Sequence, residues 1–242
     1  MPILTQRTIA ATCATVAFQM MTVTCIMYYL PLFFQASKGF TPTKAGLWLL
    51  GFALPNPIFS FIAGAVVTKT GQYIPWLLVG GGMLTVGAGL CSTLTLNHSD
   101  LGRVIGFELL ASAGFGFAVQ QPLVAIRNVL DPADVPMGMA LFFFFQAFGQ
   151  TVGMGIAQVI FLSALRTRLG TRLSDDEVTR ITKLGASSGA GVPPHLANFV
   201  ATSYSHSTQR ALYAAIATAG LSFLCAGLLE WRHVEVGGKK KK

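Results

Sequence analysis

GAVVTKTGQY (Gly64–Tyr73) sets one lysine and, two residues later, a glycine between long apolar runs. Gly46–Val67 before the turn and Tyr73–Ser99 after it carry no charge. Glycine lets a backbone reverse tightly, and lysine can lay its stem on apolar surface while its ammonium reaches the headgroups. The stretch therefore reads as a chain reversal at a membrane face. Composition points to the same solvent. Of the 242 residues, 52% are hydrophobic and 11% charged, and mean hydropathy is +0.60. Soluble domains carry about a quarter charged residues, so too few charges remain here to clothe a water-facing globule.

A helix needs about 20 apolar residues to cross the hydrocarbon core. Six stretches qualify: Thr8–Ser37, Gly46–Val67, Tyr73–Ser99, Leu101–Ile126, Met137–Leu165 and Ala211–Leu229. Lipid offers no hydrogen-bond partners, so each must be helical, and the alternation of a barrel strand is absent. The fold class is an all-α membrane protein with six transmembrane helices. LPNP (Leu54–Pro57) predicts a kink in the second, because each proline removes a ladder hydrogen bond.

The formal charge of +8 comes from 17 Lys and Arg against 9 Asp and Glu. These bases sit at the ends of apolar runs rather than along one face, which points to the bilayer as partner and away from nucleic acid. Cys13, Cys25, Cys91 and Cys225 lie inside apolar runs without metal spacing, and His98, His195, His206 and His233 are scattered. No metal and no cofactor are expected, and no cleavable leader pattern opens the chain. Eight bases (Arg7, Lys69, Arg127, Arg232 and Lys239–Lys242) fall on the side of the termini, against Lys38, Lys44 and Arg103 opposite. That bias makes the termini cytoplasmic, although the loop Arg166–Arg210 adds six bases to the other side.

That loop carries a capping box, Ser174-Asp175-Asp176-Glu177. It predicts a helix over Asp175–Leu184, stopped by Gly185, with the acids at the positive end of the dipole. Pro193-Pro194 predicts a second short helix to about Tyr204. The chain divides into residues 1–165 with five spans, a loop 166–209 with short helices serving as lid or packing element, and 210–242 with the last span and a basic tail.

Five segments resemble one known family: YYLPLFFQASKGFTPTKAG (Tyr28–Gly46), GAVVTKTGQYIPW (Gly64–Trp76), GFGFAVQQPLVAIRNVL (Gly114–Leu130), DVPMGMALFFFFQAFGQTVG (Asp134–Gly153) and EWRHV (Glu230–Val234). They are similar to the C-terminal half of fungal major facilitator superfamily transporters, nearest the fourteen-span drug:proton antiporters that export toxins and secondary metabolites. The resemblance implies one six-helix bundle of the major facilitator fold. It also implies a missing N-terminal six-helix half as partner and a midplane site between the two bundles. The family's signature loop runs roughly G-x-x-x-D-R/K-x-G-R-R/K. Gly64, Lys69 and Gly71 fit it, with Thr68 in place of the acid and Gln72 in place of a base. A tight turn and close helix approach follow from the glycines; the family's charge relay lacks its acid.

Ionisable groups within a membrane are costly and point to function. Glu108 lies about 10 Å into the fourth span at helical rise, on the face of Ser112, Phe115, Val119 and Pro122, with Gln121, a substrate-path candidate, roughly opposite. It is either a cavity acid that exchanges a proton or an interfacial residue reaching toward headgroups or Arg103. On the fifth span Phe142, Gln146, Gly149, Gln150, Gly153 and Ala157 share a stripe. Amides flanked by aromatics suit a cavity for flat apolar molecules; the same small residues and amides equally serve helix packing. Asn56, between two prolines, either satisfies freed carbonyls or lines the path.

Other patterns carry less. Gly185-Ala186-Ser187-Ser188-Gly189 matches a hydrolase elbow without its strand and helix. Asn97-His98-Ser99 is a sequon abutting two spans. Lys239–Lys242 is a polybasic tail for anionic lipid, which also resembles a dilysine retrieval signal. No nucleophile and base pair within the spans, so an enzyme is not expected. The expectation is a partial efflux carrier of a small, largely apolar organic compound, proton-coupled when complete, in the plasma membrane, with the endoplasmic reticulum or vacuole as alternatives. A rival expectation is a truncated, non-transporting membrane interaction protein, in keeping with an opening Met1-Pro2-Ile3-Leu4 that resembles an internal restart.

Overall fold

The computed structural model describes residues 6–94, 101–184 and 194–229. Ten helices follow one another among them: α1 (Arg7–Lys38), α2 (Pro42–Trp48), α3 (Leu50–Ala53), α4 (Pro55–Thr70), α5 (Ile74–Ser92), α6 (Leu101–Val119), α7 (Gln121–Val129), α8 (Val135–Leu169), α9 (Asp175–Leu184) and α10 (Pro194–Gly227). They build six rods long and apolar enough to cross a membrane: α1, the chain α2–α4, α5, the pair α6–α7, α8 and α10.

The ends and breaks follow from proline and glycine. Gly39 and Gly71 adopt the left-handed conformation, φ 62° and 71°, and close α1 and α4. There the Gly71 amide donates to Val67 O at 2.8 Å, which is the tight reversal read in Gly64–Tyr73. The second rod is interrupted at Leu49 and Leu54, the latter directly before Pro55 and Pro57. Its kink is thus a break, and Ser112 Oγ of α6 donates to Phe52 O at 2.6 Å there. The prolines withdraw the amides that Gly51 O and Ala53 O would accept from, and the neighbouring helix bonds the carbonyl between those two. A second interruption, at Gln120, separates α6 from α7 ahead of Pro122, for the same reason.

Helix α1 is the centre of the bundle. Of its most apolar window 78% is buried, against 17% for the second rod and 28% for α8. It packs on α10, α8 and α7. Close approach comes from small residues: a methyl at Gly149 or Gly153 of α8 would strike Ala17 or Met21 of α1, and one at Gly80 or Gly114 would wedge α5 from α6. In lipid such backbone proximity carries much of the attraction. Hydroxyls add polar ties. Thr22 lies 2.9 Å from Thr218, and Ser222 Oγ donates to Thr15 O at 3.2 Å.

Two readings of the loop after the fifth span meet the structure differently. Helix α9 occupies the expected residues, and Glu177 accepts from the Ser174 amide (3.0 Å) and hydroxyl (3.1 Å). The serine therefore donates to the glutamate instead of capping the N3 amide. Val178 and Ile181 bury α9 in the main core, and Tyr204 donates to Ile181 O at 3.2 Å; the element is packing. The helix read as ending near Tyr204, by contrast, does not end. Helix α10 runs unbroken to Gly227, because Ser203 and Ser207 donate to carbonyls one turn back, at 2.8 and 2.7 Å. The stop at Gly185, the sequon, the hydrolase-like motif and the lysine tail lie outside the described residues.

Gly114→Val should destabilise the bundle by about 1–3 kcal/mol through overpacking, whereas a side chain at Gly220 meets nothing within 4 Å. Thermal melts in detergent should show a lowered transition for the first variant only; equal melts would mean that α5 and α6 do not touch.

Candidate functional site: an amide-lined groove

Along the poorly buried side of the bundle runs an open groove of about 1120 Å³. Its walls are Met20, Val23 and Met27 of α1, the Asn56–Lys69 face of α4, Phe115 and Val119 of α6, Gln120, and Gln146 and Gln150 of α8. Both glutamines of α8 donate through Nε2 to Met20 Sδ, at 3.8 and 3.7 Å. Sulfur is a weak acceptor. Asn56 Nδ2 is buried without a partner. The groove thus offers amide donors set in a wall of methionine and phenylalanine, a surface that fits a flat apolar molecule carrying a few acceptors.

The remaining sequence-derived candidates distribute unevenly. Gly64 and Lys69 line the groove; Gly71 is the buried turn below it. A methyl at Gly64 would meet nothing within 4 Å, so the close helix approach expected of this glycine does not occur among the described residues. Phe142 is 4% exposed and packs in a core cluster with Ile9, Val16 and Ile126; it lies behind the groove. Gln121 is fully buried, donates to Phe117 O at 3.1 Å and leaves Oε1 unpaired. Its neighbour Gln120 lines the cavity instead.

Glu108 is fully buried, and neither carboxyl oxygen has a hydrogen-bond partner. It faces Gly51 of α3, where a methyl group would collide with Oε2. It does not reach outward to headgroups. Its face continues through Ser112, bonded to Phe52 O, to Phe115, which stacks on Phe52 at 6.5 Å, and Phe115 and Val119 then enter the groove. Met20, Ser60 and Gln120 escaped the sequence reading: a methionine or serine within an apolar run carries no distinguishing signal. Among the described residues no group of three His, Cys, Asp or Glu gathers as a metal site would.

The profile of the Major Facilitator Superfamily matches residues 12–170. The chain belongs to that superfamily. Within the Major Facilitator Superfamily it is similar to the MFS-type transporter pigP of Monascus ruber, 33% identical over 95% of this chain and 40% of that protein. It is also similar to the MFS-type efflux pump elcC of Phaeosphaeria nodorum, 35% identical over 87% of this chain and 37% of the pump. The MFS acetylaranotin efflux transporter ataA of Aspergillus terreus is 38% identical over 60% of this chain. Among solved structures, the E. coli fucose:proton symporter superposes with a TM-score of 0.67 at 18% identity, covering 94% of this chain and 50% of that one. That likeness shows the fold. The chain spans about 40% of the length of the curated relatives it matches.

With the four native cysteines replaced by alanine, Ser60→Cys and Gln150→Cys should react with a membrane-impermeant maleimide, and Gln121→Cys should not. Labelling of Gln121→Cys as fast as Gln150→Cys would place the wrong glutamine in the groove.

Proposed function

We propose that this chain forms the C-terminal wall of an efflux carrier for a small, largely apolar organic compound of the secondary-metabolite class. One observation carries the reading: the amide-lined groove opens along the rods left least buried, 17% and 28%, where a second six-helix bundle would close it. Alternating access would rock the two bundles about this groove. Gln146, Gln150 and Asn56 orient the compound by hydrogen bonds, and Met20, Phe61 and Phe115 hold it by contact. Relatives that are efflux pumps, and one that is an acetylaranotin efflux transporter, support the substrate class.

Glu108 is the proposed proton carrier for antiport, because a buried acid without a partner is costly in a membrane unless it has work to do. Lys69 and Arg127 belong to the cytoplasmic side in this reading; the core cluster joining Ala11, Val67, Tyr73, Ala125 and Ala226 supports a shared end. The membrane is the plasma membrane, with the endoplasmic reticulum and vacuole as the other candidates, and the chain works as a carrier, not an enzyme.

The test is flux in vesicles holding this chain together with an N-terminal half. Gln146→Ala/Gln150→Ala should lower efflux about tenfold, as expected for one or two lost hydrogen bonds. Glu108→Gln should abolish accumulation driven by a pH gradient and leave down-gradient exchange intact. Full flux from this chain alone would overturn the half-carrier reading; no flux with any N-terminal half would favour a truncated interaction protein.

A further inference from the structure

A second cavity, of about 580 Å³, lies between α8 and α10 and shares no residue with the groove. Arg168, Arg210 and His206 converge on it, and its lining contains no Asp or Glu. His206 Nδ1 is buried without a hydrogen-bond partner. Two guanidiniums beside an unsatisfied imidazole nitrogen form a site for an anion with several oxygens, and guanidinium geometry favours phosphate in particular.

The opposite lip is apolar. Val159, 69% exposed, and Ile160 line it, so a ligand that puts its charge on the arginines has hydrocarbon contact alongside. The level in the bilayer fits such a ligand. Arg210 stands roughly 25 Å along α10 from Gly227 at the helical rise, near the thickness of the hydrocarbon core. The cationic rim therefore sits where headgroups begin and the apolar lip where acyl chains run. We propose that this cleft binds an anionic phospholipid, with the headgroup phosphate held by Arg168, Arg210 and His206 and one acyl chain along Val159 and Ile160. Basic pockets between membrane helices attract anionic headgroups by charge, and with the termini cytoplasmic this one serves the leaflet on the opposite face.

The experiment uses the whole chain in phosphatidylcholine vesicles doped with a photoactivatable phosphatidic acid or, in parallel, a photoactivatable phosphatidylcholine. Adducts are mapped by peptide mass spectrometry. The phosphatidic acid probe should label peptides holding Val159 and Arg210 about tenfold more than the zwitterionic probe. Arg168→Ala/Arg210→Ala should remove that preference, and Arg168→Lys/Arg210→Lys should restore part of it. Single Arg210→Gln, at an exposed position, gives the same readout should the double variant fail to fold. Equal labelling by both probes, or a preference untouched by the arginine variants, would overturn the proposal. Displacement of the probe by millimolar inorganic phosphate would replace the lipid with a free anion.

Discussion

Helix α1 is enclosed on most sides because its neighbours meet it through residues that have almost no side chain. Gly149 and Gly153 of α8 rest against Ala17 and Met21. Lipid tails are as apolar as leucine, so helices gain little by hiding hydrocarbon from them and associate through close contact instead. Gly80 and Gly114 repeat the device between α5 and α6. The few cross-helix hydroxyl bonds, such as Thr22 with Thr218, fix the rotation of α1 against α10. Every other placement in the bundle is relative to this central rod.

A centre so enclosed leaves an asymmetric rim. The second rod and α8 stand with one flank uncovered, and the groove runs between them. The interruptions of the helices gather on the same flank: Leu54 leads into the groove wall, Gln120 is part of it, and Glu108 lies against Gly51 just behind. Irregular backbone at membrane depth persists only where protein or a polar cavity covers its carbonyls. Ser112 does so for Phe52. The breaks and the candidate site are therefore one feature.

Much of this was legible in the sequence, since six long apolar runs, five of them charge-free and the fourth holding Arg103 and Glu108, announce six crossings. Helix α9 was legible from Ser174 and Glu177. What escaped depended on contacts. The polar run Ser203–Arg210 looks like a loop, yet its serines satisfy themselves on their own helix and let α10 continue. Helical periodicity put Glu108 on the face of Ser112 and Phe115, but not that a glycine across the gap makes room for a carboxyl. It also grouped Phe142 with Gln146, whereas the two contribute to different environments, core and groove. Periodicity also set Gln121 opposite the Glu108 face that leads through Phe115 and Val119 into the groove, and the structure keeps Gln121 buried while Gln120 lines the cavity.

The thioether of Met20 gives the groove an unusual readiness. Two amides rest on a sulfur that holds them loosely, at 3.7 and 3.8 Å. A visiting carbonyl or ether oxygen is a stronger acceptor, so it can draw the amides away with little lost in the exchange. Such a lining can exchange its own amide–sulfur contacts for an oxygen acceptor without stranding a donor.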